Sequence, residues 1–107
     1  GELARAGIGG GFVKSGTVAN TTAVDTTVET SGKYAHAGIG GGLVERATVA
    51  NTTALDSRVK TSKLLAFAGI GGGLVNPEGK VANTMAVNST VETSGVIAGA
   101  GIGGGGG

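Results

Sequence analysis

The sequence predicts an all-β fold, a β-solenoid of the parallel β-helix kind, built from three repeats of 31 or 32 residues plus a partial fourth, with one or two turns per repeat left open. Three observations predict it. A glycine-rich hexapeptide recurs at near-constant spacing, and the segments between its copies are rich in β-branched residues that alternate with period two. The chain also has 24 glycines and only three aromatic residues, Phe12, Tyr34 and Phe67, so ordered backbone hydrogen bonding and stacking of small side chains must hold it.

The hexapeptide Ala-Gly-Ile-Gly-Gly-Gly begins at Ala6, Ala37, Ala68 and Ala100. Residues 1–107 therefore read as a single repeat domain, with copies at about 6–36, 37–67 and 68–99 and a partial fourth over 100–107. The extra residue of the third copy falls in Asn76-Pro77-Glu78-Gly79, opposite Lys14-Ser15-Gly16 and Glu45-Arg46-Ala47. Proline and glycine together are turn chemistry, and insertions collect at the surface, so a loop is expected there. Gly9 to Gly11 and their equivalents read as either a second bend or a flat face against which a neighbouring chain packs, since glycine adopts positive φ and lets another backbone approach closely.

After the loop each copy carries Val-Ala-Asn-Thr, at Val18 to Thr21, Val49 to Thr52 and Val81 to Thr84. Val18, Asn20, Thr22, Val24, Thr26 and Val28 share one phase of a two-residue alternation, which predicts strand. Val24 and Val28 are also four apart, as in a helix, but Thr, Val and Gly are poor helix formers. About three strands per repeat are expected, bending at the glycines and at the loop.

If one repeat is one coil, equivalent residues lie above one another at about 4.8 Å, the spacing of paired strands. Ile8, Ile39, Ile70 and Ile102 then form one aliphatic ladder. Val18, Val49 and Val81 form a second, and Val28, Val59 and Val91 a third. Asn20, Asn51 and Asn83 stack as an amide ladder, whose carbonyl and NH2 groups can bond along the stack. These thirteen residues are the expected stacking and assembly positions. Glu29, Lys60 and Glu92 alternate in sign, and Lys14 sits over Glu45; Asp25 over Asp56 is a like-charge clash that Asn88 relieves in the third copy.

The order Gly-Gly-[Phe/Leu]-Val, loop, Val-Ala-Asn-Thr, in Gly10 to Val13 with Val18 to Thr21, Gly41 to Val44 with Val49 to Thr52, and Gly72 to Val75 with Val81 to Thr84, resembles the GLUG-type repeats of bacterial surface and secreted proteins. The chain departs from that pattern in lacking glycine after Val13, Val44 and Val75, and in placing Thr or Met where an aromatic residue often follows the Asn step. The resemblance implies an extracellular or cell-surface solenoid, a segment of an adhesin or large secreted protein, and implies no catalytic residue.

The chemistry-bearing residues point away from an enzyme. His36 is the one histidine and aligns with Phe67 and Gly99, so it reads as a surface or capping ring. Asp25, Glu29, Glu45, Asp56, Glu78 and Glu92 lie among Thr and Lys and read as a solvated face, where acid–base catalysis needs perturbed, pocketed carboxyls. No acid cluster offers the six or more oxygens calcium takes. The glycine-rich segment is no phosphate cradle, since no Gly-Lys-Ser/Thr follows it and it occurs four times. No cofactor or metal is expected. A net charge of +1, with basic residues dispersed, argues against nucleic acid, and no apolar run approaches the roughly 20 residues of a membrane-spanning helix.

The threonines offer a reading of another class. Thr17, Thr21, Thr22, Thr26, Thr27 and Thr30 in the first copy are the material of an ice-binding face, although Ser57 over Thr26 and Arg58 over Thr27 interrupt it. Asn20, Asn51 and Asn88 begin Asn-x-Ser/Thr sequons, of which two are lost to glycan if the asparagine ladder points inward.

The expected body is a squat disc of about 100 Å perimeter that rises only about 15 Å. The segment from Gly1 to Arg5 is short, and Ala100 to Gly107 begins a fourth copy, so both faces are expected to expose strand edges. Self is the expected partner, through end-to-end homopolymer stacking, or neighbouring repeats of a longer chain in a stalk.

Overall fold

The computed structural model describes residues 5–106, and every element in it is a strand. The first coil contains β1 (Ala6–Ala19), β2 (Thr22–Val24) and β3 (Thr27–Thr30). The second contains β4 (Ala37–Leu55) and β5 (Arg58–Thr61), and the third β6 (Ala68–Val75), β7 (Lys80–Val87) and β8 (Thr90–Thr93). β9 (Ala100–Gly106) opens the fourth copy; Gly107 and residues 1–4 of the leading segment lie outside the described residues.

All pairing is parallel and follows the repeat. Ala6 pairs with Ala37, Ala37 with Ala68 and Ala68 with Ala100, while β3, β5 and β8 form a separate three-stranded sheet. The β-solenoid expected from the spacing is thus the fold, with one repeat per coil. Its extents, 30 × 29 × 18 Å, are those of a squat disc.

The bends follow from the backbone. Each coil turns at a column of glycines, Gly9, Gly40, Gly71 and Gly103, with φ of 104°, 106°, 106° and 101°. A Cβ built on Gly40 would lie 2.3 Å from the carbonyl oxygen of Gly71, so sterics as well as conformation exclude every other residue there. The remaining corners are left-handed residues that stack as columns: Asn20, Asn51 and Asn83; Asp25, Asp56 and Asn88; Tyr34, Leu65 and Ile97. The expected loop is a break only in the third copy, at residues 76–79, because β1 and β4 run through its equivalents unbroken.

These corners correct the predicted alternation. Asn20 at φ 58° and Asp25 at φ 51° each shift the phase, so Thr21 and Ala23 point inward and Val24 is left 52% exposed on the outer surface. Val18 and Val28, in one phase of the predicted alternation, both face the interior, but Asn20, Thr22 and Val24 between them do not. The interior is built from small side chains in two clusters. Ala23, Val28, Ala37, Ile39, Ala54, Val59, Ala68 and Ile70 fill one, and Val13, Val44, Ala47 and Val49 the other. Each fully buried Ile or Val contributes about 1.5–3 kcal/mol, and the second coil, covered on both sides, holds most of them.

Candidate functional site

The expected stacking residues are brought together in register. Ile8 pairs with Ile39, Ile39 with Ile70 and Ile70 with Ile102. Val18, Val49 and Val81 pair in turn, as do Val28, Val59 and Val91. What differs is their cover. Ile39 and Ile70 are wholly buried between coils, whereas Ile102, in the same column but on the last strand, is 61% exposed. Val96 and Ile97, between β8 and β9, are exposed on the same last coil, whereas the exposed Val87 continues the outward column of Val24 and Leu55 and faces the side of the body.

The asparagine column lies outside the core. Asn51 donates from Nδ2 to Oδ1 of Asn20 at 3.3 Å, and Asn20, Asn51 and Asn83 are all exposed. Asn88 is exposed as well, so none of the three sequon asparagines points inward.

Hydroxyls brace the corners in a way the sequence reading missed. Thr26, Ser57 and Ser89 each donate to the carbonyl two residues back, and the Oγ atoms of Ser57 and Ser89 accept from the backbone N–H of the preceding coil, Thr26 at 3.2 Å and Ser57 at 3.1 Å. Ser57 over Thr26 is therefore a continuation of a bonded column and not an interruption. The signal was present, since all three positions carry a hydroxyl at the repeat spacing. Thr30 and Thr61, both buried, donate to Ala35 O and Ala66 O at 2.6 and 2.7 Å across the next corner.

The threonine columns sort by face. Thr30, Thr61 and Thr93 are unbroken and Thr30 and Thr61 are buried; Thr21 and Thr52, with Thr84 below, likewise turn toward the glycine corner, where Thr52 is fully enclosed. The outward columns run Thr17, Thr48, Lys80; Thr22, Thr53, Met85; and Thr27, Arg58, Thr90. None of these outward columns carries threonine on all three coils.

The charged residues are dispersed over the outside. Glu29, Lys60 and Glu92 are in register, but the one ion pair within 4 Å among the described residues is Arg46 Nε to Glu78 Oε1 at 2.8 Å, on the surface. It borders an open cleft of about 370 Å³ lined also by Glu45, Asn76 and Pro77. A second groove, about 290 Å³, contains Asp25, Asp56 and Asn88 beside Arg58, with Thr27, Ser57 and Thr90. Among the described residues no three His, Cys, Asp or Glu side chains come together to hold a metal ion, and no helix is long and apolar enough to cross a membrane.

His36 departs from its expected place on the surface. Only 7% of it is exposed, its ring stacks on Phe67 at 5.5 Å between centroids, and Nδ1 accepts the backbone N–H of Phe67 at 3.1 Å. The proton of the neutral ring is thus on Nε2. Burial, and after it the charge of Arg5, hold its pKa below the ordinary 6.5. Alignment of His36 with Phe67 was the available clue, because an aromatic column signals packing.

Compared with known proteins, the chain matches no protein-family model, no curated protein and no solved structure.

Proposed function

We propose that this chain is a structural scaffold module: a β-solenoid extended by further coils of the same repeat, as a filament of stacked copies or as a stalk segment of an adhesin-like protein at the cell surface or outside the cell. The resemblance to GLUG-type repeats supports the extracellular setting. The observation that carries the reading is the contrast within one column, Ile102 at 61% exposed against Ile39 and Ile70 at 0%. A coil laid on that face encloses apolar side chains and gives partners to strand edges in one step.

The partner's geometry is narrowly specified. A coil that pairs along the whole perimeter must turn where this one turns, and the corners repeat from coil to coil within a few degrees of φ: 58°, 58° and 57° at the asparagines, 51°, 51° and 49° at the next, and 56°, 55° and 54° at Tyr34, Leu65 and Ile97. An arbitrary strand meets none of these turns, and an antiparallel coil meets them out of register. A parallel coil of the same repeat meets all of them. A face 30 by 29 Å across amounts, as an ellipse, to roughly 700 Å², close to the ~800 Å² each partner gives to a stable interface.

Sedimentation velocity and electron microscopy of the purified chain test this. The expected result is rods or large oligomers, with Ile102→Lys, a change at an exposed position, remaining folded and sedimenting as a single disc. A stable monomer at micromolar concentration, without rods, removes self-stacking. The ice-binding reading has no outward threonine rank to support it; absence of crystal shaping and thermal hysteresis is expected.

A further inference from the structure

We propose that His36 is an acid-sensitive latch between the first and second coils, opened by protonation of Nδ1. The residue occupies a column that runs Arg5, His36, Phe67, Gly99, and it is tied to the coils on both sides. Its own carbonyl accepts from Ala6 N–H at 2.9 Å, and its ring accepts from Phe67 N–H at 3.1 Å. Phe67 lies in the gap between β5 and β6, and the next residue boundary returns to the ladder, where Ala37 N–H bonds Phe67 O at 3.0 Å. The imidazole bond thus secures a backbone donor just where regular pairing begins.

Only a neutral ring can do this. A proton on Nδ1 turns the acceptor into a donor facing another donor, so the bond is replaced by repulsion. The surroundings offer the cation no hydrogen-bond acceptor in place of water and no opposite charge: the stacked Phe67 ring gives it only the weak attraction of a π face, Ala35 and Ala37 beside it in the chain are apolar and buried, and the charge that acts on it is the like charge of Arg5. Arg5 is itself kept nearby, its guanidinium 4.9 Å from the centre of the Phe12 ring. Because the imidazole is enclosed, charging it requires the ring to leave the stack, and the Phe67 N–H is then released.

The folded pKa is lower than the ordinary 6.5, so the unfolded chain takes up the proton first as pH falls. The latch contributes fully above 6.5, and the contribution is lost as pH falls through the folded value.

Amide exchange measured by NMR at about pH 7.5 and about one unit below the midpoint of the His36 ring's own titration tests the proposal. After correction for intrinsic rates, protection of the Phe67 amide is expected to fall about tenfold in acid, the equivalent of one hydrogen bond, while Val49 keeps its protection. In His36→Gln, whose side-chain oxygen can accept and does not titrate, Phe67 protection is expected to be the same at both values. Equal protection of Phe67 in the native protein at the two pH values overturns the latch, and so does an equal acid loss in His36→Gln. Titration of the His36 ring itself requires no variant: a midpoint at or above 6.5 also overturns it, and a lower midpoint that tracks release of the Phe67 amide supports it.

Discussion

Asn51 lies over Asn20 with its Nδ2 donating to the other's Oδ1 at 3.3 Å, and both residues hold φ at 58°. The pair joins the two tasks of a coil corner, turning the chain and marking the register. Asparagine suits both, because its short polar side chain tolerates the left-handed region that costs most residues about 1–2 kcal/mol. Asn51→Ala is expected to destabilise by about 1–2 kcal/mol, and Asn51→Gly by less, since glycine loses the amide contact without the backbone penalty. Urea unfolding checks this; an alanine variant as stable as the glycine variant contradicts it.

The same substitution is expected to have opposite signs at two buried threonines. Thr61 Oγ1 donates to Ala66 O at 2.7 Å, whereas Thr52 Oγ1 is enclosed without a hydrogen-bond partner. Thr52→Val removes a desolvated hydroxyl and is expected to stabilise by about 1 kcal/mol. Thr61→Val strands the Ala66 carbonyl and is expected to cost about 1–2 kcal/mol. Thermal unfolding of the two variants reads the contrast, and a loss of stability in Thr52→Val contradicts it.

Glycine at positive φ is required for different reasons along the coil. Gly16 has φ of 96° but nothing within 4 Å of a built Cβ, whereas Gly40 has φ of 106° and the Gly71 carbonyl oxygen at 2.3 Å. Gly16→Ala carries only the backbone penalty, about 1–2 kcal/mol. Gly40→Ala adds a clash with main chain that cannot move without breaking the ladder, and is expected to prevent folding. Circular dichroism separates them: strand signal retained in the first and lost in the second.

Strain at the third corner column can be relieved. Ile97 is β-branched, sits at φ 54° and is 69% exposed, so little burial is lost on replacing it. Ile97→Asn is expected to stabilise the single disc by about 1 kcal/mol. Unfolding measured below the concentration at which discs associate tests it, and a lowered midpoint rules it out.

The period and the coil were legible because identical residues at identical spacing admit few arrangements, and Ile8 over Ile39 follows from the hexapeptide alone. The phase within a coil was not. Alternation counted through Asn20 and Asp25 assumes an unbroken pleat, and a single left-handed residue shifts everything after it; asparagine and aspartate at fixed spacing were the readable warning. No such warning exists for Tyr34, Leu65 and Ile97, residues that rarely adopt φ near 55°, because tertiary pairing imposes that corner. The inward threonines were misjudged for the same reason, and the enclosure of His36 depends on the Phe67 ring of another coil.

Residues one repeat apart lie in direct contact, and NMR contacts among selectively labelled valine methyls test this most directly. The coil arrangement predicts that Val49 contacts both Val18 and Val81 and that Val18 does not contact Val81. Absence of a Val18–Val49 contact, or contacts at three- and four-residue spacing in their place, would contradict it.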